Sequence, residues 1–99
     1  MKPEFFNILR KIHKDPEASQ RELAKELGLS IGKLNYCLKA LKDKGLVKIQ
    51  NFSKSPKKTK YLYYLTPKGV LEKTKVTLNF MKIKMKEYEE LKKELNKKK

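Results

Sequence analysis

The sequence predicts a mainly α-helical chain with one small β-hairpin, an α+β arrangement that ends in a long helix. Three observations predict it. Residues 3–44 hold three short segments with apolar residues at helical spacing, closed in turn by Asp15-Pro16, Gly28 and Gly45. Residues 46–65 then switch to two strand-forming runs, LVKIQNF and YLYYLT, on either side of a polar stretch. From Pro67 onward no further Pro occurs and no Gly follows Gly69, so one helix can continue toward the end of the chain.

Each element has its own local cause. Pro3 suits a first helical turn, where its missing N–H would be unpaired anyway. Phe5, Phe6, Ile8, Leu9 and Ile12 follow at helical spacing, which gives a first helix over about 3–14. Ser19-Gln20-Arg21-Glu22 is a capping box, in which the cap and the third residue satisfy each other's amides. Leu23, Ala24 and Leu27 supply the apolar face of that second helix. Ser30 caps a third helix, whose Leu34, Leu38 and Leu41 form one stripe. Gly45 ends it by tolerating left-handed backbone. Two short helices joined by a tight Gly-containing turn form a helix-turn-helix pattern.

After Gly45 the period changes to that of a strand, with Val47 and Ile49 on one face. SKSPKKTK, residues 53–60, reads as a long basic tip broken by Pro56. YLYYLT is the returning strand, its alternate aromatics packing on core and solvent rather than forming a stacking platform. Thr66-Pro67 opens the last helix, which runs over about 68–97. Three helices followed by a two-stranded hairpin is the winged-helix arrangement. The expected division is a winged helix-turn-helix domain at 1–67 and a C-terminal helix at 68–99.

Charge narrows the partner. The chain has 26 Lys and Arg against 11 Asp and Glu, a net charge of +15. That favours an anionic partner, nucleic acid ahead of an acidic membrane surface. Residues 46–69 hold six basic side chains and no acidic one. No apolar run approaches the roughly 20 residues that span a bilayer, so no membrane span is expected. The N-terminus lacks the uncharged apolar core of a signal peptide, and Cys37 has no second cysteine to pair with in the chain. A cytoplasmic protein is the simplest expectation. Paired carboxylates, a Gly-rich phosphate loop and a metal-ligand cluster are all missing, so no enzyme, cofactor or metal is expected. His13 reads as a helix C-terminal residue beside the dipole, and Cys37 as a small packing residue.

SQRELAKELGLSIGKLNYCLKALKDKGLV resembles the DNA-binding core of MarR-type winged-helix regulators, and YLYYLTPKG resembles their second wing strand leading into a helix. With GKLNYCLKALKDKGLVK and LTPKGVLEKTKVTLNFMKIKMKEYEELK, the likeness covers about residues 5–95. It extends to the small MarR-type regulators associated with exopolysaccharide biosynthesis. Larger MarR-type regulators carry extra helices at both ends, which build the dimer and often a ligand pocket. This chain has little before its first helix, so a small-molecule effector is not expected.

The DNA reading assigns roles by position. Residues near the start of the second helix of a helix-turn-helix reach base edges in the major groove. Here Ser30 heads that surface, and Ile31, Gly32, Lys33, Asn35 and Tyr36 follow. Asn35 suits a bidentate pair with adenine and Lys33 donation to guanine. Ile31 suits a thymine methyl, and Gly32 lets the backbone come close. Tyr36 and Lys39 are placed for phosphate or the groove wall. Ser19 and Gln20 open the preceding helix, whose N-terminus suits a phosphate. Lys54, Lys57, Lys58 and Lys60 of the basic tip suit phosphates, which makes affinity fall with salt.

The long helix carries a second message. Leu71, Leu78 and Met85 are spaced by seven, as are Thr74, Met81, Tyr88 and Leu95, offset by three. This is the a/d pattern of a coiled coil. Lys92 interrupts it, with Leu91 beside it. Val76, Phe80 and Ile83 lie on nearly the opposite side, so the helix is apolar on both sides between about 70 and 85. One small domain covers one side only. The pattern therefore predicts a homodimer whose interface draws on Leu71, Val76, Leu78, Phe80, Met81, Ile83, Met85, Tyr88, Leu91 and Leu95. The competing readings are non-specific architectural DNA binding and a basic helix that docks on a protein or a membrane surface. Glu87, Glu90 and Glu94 on the later turns fit the last of these poorly.

Overall fold

The computed structural model describes residues 1–55 and 58–97, with the backbone alone for 51–55 and 58–61. Its elements are α1 (Pro3–Lys14), α2 (Gln20–Leu27), α3 (Ile31–Asp43), β1 (Val47–Ser55), β2 (Lys58–Leu65) and α4 (Pro67–Lys97). The helix boundaries follow the caps. The Ser19 and Ser30 hydroxyls accept the N–H groups of Glu22 and Lys33 at 3.2 and 3.1 Å. These are the side-chain caps expected from an Ncap serine. Gly28 and Gly45 follow α2 and α3 with φ of 67° and 74°, the left-handed geometry that a side chain disfavours.

The three helices close on one core. Ile8, Leu9 and Ile12 of α1, Leu23 of α2, and Leu34, Cys37 and Leu41 of α3 are all but sealed from solvent. Val47 at the head of β1 joins them, as does Tyr63 of β2, while Tyr64 faces out. Ile49 shares the face of Val47 yet is exposed, although its partner across the ladder, Tyr63, is buried.

β1 and β2 pair antiparallel from Val47↔Leu65 to Ser55↔Lys58, with an irregularity between Ser53 and Ser55. The wing differs here from the sequence expectation. Residues 53–55 and 58–60, expected as part of a long loop, belong to the strands. The ladder extends past the point where apolar alternation stops, because backbone pairing needs no apolar side chain once a turn has set the register. Residues 56–57, with Lys57 of the proposed basic tip, lie outside the described residues.

α4 is anchored where the hairpin ends. The Thr66 N–H donates to the Leu46 carbonyl at 3.0 Å. Its hydroxyl donates to the Gly45 carbonyl at 2.6 Å and accepts the Gly69 N–H at 3.0 Å. Lys68 Nζ reaches the Lys44 carbonyl at 3.1 Å. A Cβ on Gly69 would collide with the Leu46 carbonyl oxygen, so only glycine lets the first turn of α4 sit on this backbone. Farther along, Phe80 stacks on Phe6 of α1, ring centroids 5.3 Å apart. Beyond that the 31-residue helix runs free of the domain, and the molecule measures 69 × 26 × 21 Å.

Candidate nucleic-acid interface

The first turns of α3 present one exposed strip. Leu34, Cys37, Leu38 and Leu41 point into the core, and this fixes the opposite side outward. Ile31, Gly32, Lys33, Asn35, Tyr36 and Lys39 all lie on that outer side. Two of them are large and apolar for a solvated face: Ile31 is 47 % exposed and Tyr36 65 %. The core half of α3 therefore acts as a rail, and the outer half faces solvent.

Lys33 is held in place by its surroundings. Its ammonium lies 3.4 Å from Glu4 of α1 and 5.7 Å from the centre of the Tyr36 ring. Both members of the ion pair are well exposed, so the contact orients the side chain more than it stabilises the fold. Glu4 was not singled out by sequence, since it stands far from Lys33 along the chain. The only available signal was a lone acid in the first turn of α1. Beneath this corner, burial pushes the Cys37 thiol up from its ordinary value, with the Lys33 charge opposing the shift.

The other assigned positions separate into two groups. Ser19 caps α2, as its hydrogen bond shows. Gln20 is half-buried, and its Nε2 is buried without an acceptor. Ser30 is exposed and caps α3. The backbones of Lys54, Lys58 and Lys60 stand on the two strands of the wing.

On α4, the a/d stripe is open to solvent over its length. Leu71, Leu78, Met81, Met85, Tyr88 and Leu95 are exposed, at 65 % and 68 % for the two end members. Leu91 is exposed as well. The opposite side divides: Val76 is half-buried and Phe80 rests on Phe6, while Ile83 is exposed. The chain thus covers the start of that side with its own domain and leaves the stripe bare. Among the described residues, no group of His, Cys, Asp and Glu is placed to hold a metal ion. No described helix is long and apolar enough to cross a membrane.

Residues 6–48 match a family model described as winged helix-turn-helix DNA-binding. No curated protein matches the chain. Solved structures do. The PcaV transcriptional regulator from Streptomyces coelicolor, in complex with its natural ligand, is 15 % identical at a TM-score of 0.76. That match covers 85 % of this chain and 58 % of PcaV. Streptococcus pneumoniae FabT in complex with DNA is 21 % identical at 0.71, covering 88 % and 59 %. Staphylococcus aureus MarR, in complex with salicylate and kanamycin, is 24 % identical at 0.72, covering 86 % and 55 %. The chain spans less than three fifths of the length of each. Its fold is the winged-helix fold that these regulators share, and the family model matched over residues 6–48 is described as DNA-binding.

Proposed function

We propose that this protein is a sequence-specific regulator that binds double-stranded DNA as a homodimer, with α3 in the major groove and the wing on the backbone. The observation that carries the reading is the outer strip of α3. It offers Asn35, Lys33 and Ile31 on a rigid helix whose other side is locked into the core. These three supply a bidentate amide, a cationic donor and an apolar contact, which is the side-chain set that distinguishes base edges in the major groove. Net charge of +15 supplies the sequence-independent attraction. FabT, of the same fold, is described in complex with DNA.

Two copies would present two α3 helices to one face of the duplex, matching a roughly palindromic site with half-sites about 34 Å apart. The bare stripe of α4 supports the pairing, since a row of exposed leucines and methionines along a free helix is a surface that water does not favour.

The deciding experiment is selection of bound fragments from randomised duplex DNA at about 0.15–0.2 M salt, where purely ionic binding is weak. Enrichment of one inverted repeat is expected. Uniform recovery would overturn sequence specificity in favour of architectural binding. No recovery would favour a protein or membrane partner for the basic helix.

A further inference from the structure

Resting on the homodimer proposed above, we infer that two copies of α4 pair antiparallel about a two-fold axis level with Ile83. In an antiparallel pair, each a residue of one helix faces a d residue of the other. Only one such alignment uses the whole stripe. Leu71 then meets Leu95 of the second copy, Leu78 meets Tyr88, and Met81 meets Met85. Thr74, the first polar member of the stripe, falls opposite Lys92, the residue that interrupts it. The two irregularities of the pattern thereby become one layer, repeated by symmetry at each end.

A parallel pair sets every residue against itself. Lys92 would meet its own copy in the seam, two ammonium groups with no counter-charge between them. The antiparallel layer instead gives each Lys92 a threonine and lets its stem lie along the seam with the ammonium in water. The flanks add to this. Lys75 of one helix lies across from Glu89 of the other, twice by symmetry. Lys82 and Lys84 stand beside the two-fold and face their own copies. Lys84 is partly offset by Glu87, 3.5 Å away on its own helix. Each copy also carries a net charge of +15, and salt screens that mutual repulsion, so dimerisation strengthens as salt rises from low to moderate, the opposite of DNA binding.

The structure leaves this seam free. The stripe residues are exposed, while Phe80, on the far side, is already engaged by Phe6. The paired helices and the packing on the domain therefore do not compete for the same side chains.

Cysteine cross-linking tests the orientation in the full chain. Leu71→Cys and Leu95→Cys are each made alone, then mixed after subunit exchange and oxidised, with wild type as control because Cys37 is buried. Both leucines are exposed in the single chain, so neither change threatens the fold. A disulfide needs Cα atoms within about 7 Å. In the antiparallel register the two copies of residue 71 stand about 36 Å apart along the axis at 1.5 Å per residue. The expected result is a cross-linked band in the mixture and none above background in either variant alone. A cross-link in Leu71→Cys alone would overturn the orientation and leave the homodimer standing. A dimeric mass by sedimentation with no cross-link anywhere would overturn the register. A monomeric mass for wild type would overturn the homodimer itself.

Discussion

Replacing Thr66 by valine keeps nearly the same shape and removes one oxygen, which makes it a clean probe of the joint between the wing and α4. The Thr66 hydroxyl performs two tasks. It accepts the N–H of Gly69, a buried group in the first turn of α4, and it donates to the carbonyl of Gly45. The first is an N-cap interaction, worth about 1–2 kcal/mol where water cannot replace it. The second joins an exposed residue, whose carbonyl can be rehydrated, so it contributes about 0.5–1.5 kcal/mol. Thr66→Val is therefore expected to lose roughly 2–3 kcal/mol of stability, and Thr66→Ser, which keeps both bonds, less than about 1 kcal/mol. For a chain of this size that is a fall in Tm of about 8–24 °C for the valine variant. The assay is thermal and urea unfolding at one fixed protein concentration, because a dimer's stability depends on it. A valine variant within about 0.5 kcal/mol of wild type would refute the reasoning. So would a serine variant as unstable as the valine one.

Four further outcomes are expected. Gly69→Ala should destabilise by about 1–3 kcal/mol in urea unfolding, even though alanine favours helix by about 1 kcal/mol, because its methyl meets the Leu46 carbonyl; a stabilised variant would contradict the close approach. Asn35→Ala should weaken binding to the selected operator by about 1–3 kcal/mol and relax preference at one position without changing the salt slope, whereas Lys39→Ala should lower the slope by about one, both read by fluorescence anisotropy. Cys37, buried with its thiol pushed up, should react with a maleimide far more slowly in the native protein than in urea. Because the folded form holds that proton more tightly, the thiol's contribution to stability is present below the unfolded value of about 8.5 and declines as pH rises through it, which unfolding at pH 7 and 9.5 will measure. Met81→Lys should give a folded monomer in sedimentation with operator affinity at least about tenfold lower; a monomer that binds as tightly as wild type would remove any need for the pair.

How much of this was legible depended on whether the cause was local. Ser19, Ser30, Gly28 and Gly45 act on backbone groups within a few residues, so both ends of α2 and of α3 could be placed by reading. The stripe of Leu34, Leu38 and Leu41 gave the buried face of α3, and hence the exposed one. The full length of the wing is not legible, because the ladder at residues 53–55 and 58–60 rests on backbone pairing that a polar sequence does not announce. Three contacts were out of reach for a different reason. Glu4 with Lys33, Phe6 with Phe80, and Thr66 with Gly45 each join residues brought together only by the packing of whole elements. Gly69 could be noted as the last glycine, yet its purpose appears only once the Leu46 carbonyl stands where its Cβ would be.

That joint has a consequence for DNA recognition. The residues that end α3, Lys44 and Gly45, are the same ones whose carbonyls receive Lys68 and Thr66 at the start of α4. The end of α3 and the start of α4 are therefore tied at one point by three hydrogen bonds, counting the Thr66 amide to Leu46, while the Gly69 amide to Thr66 caps α4 itself. Phe6 on Phe80 provides a second point of attachment, separated from the first by three turns of α4. Two attachments along one rigid helix fix its direction, where a single one would leave it free to swing. In a homodimer joined through α4, the separation of the two α3 helices is then set by the rod and the joint, with no flexible linker between them. An operator with its half-sites moved by one or two base pairs could be bound only by bending the duplex, at a deformation energy that depends on the spacer sequence. Half-site spacing should thus be as strictly selected as the bases that Asn35 and Lys33 are proposed to read.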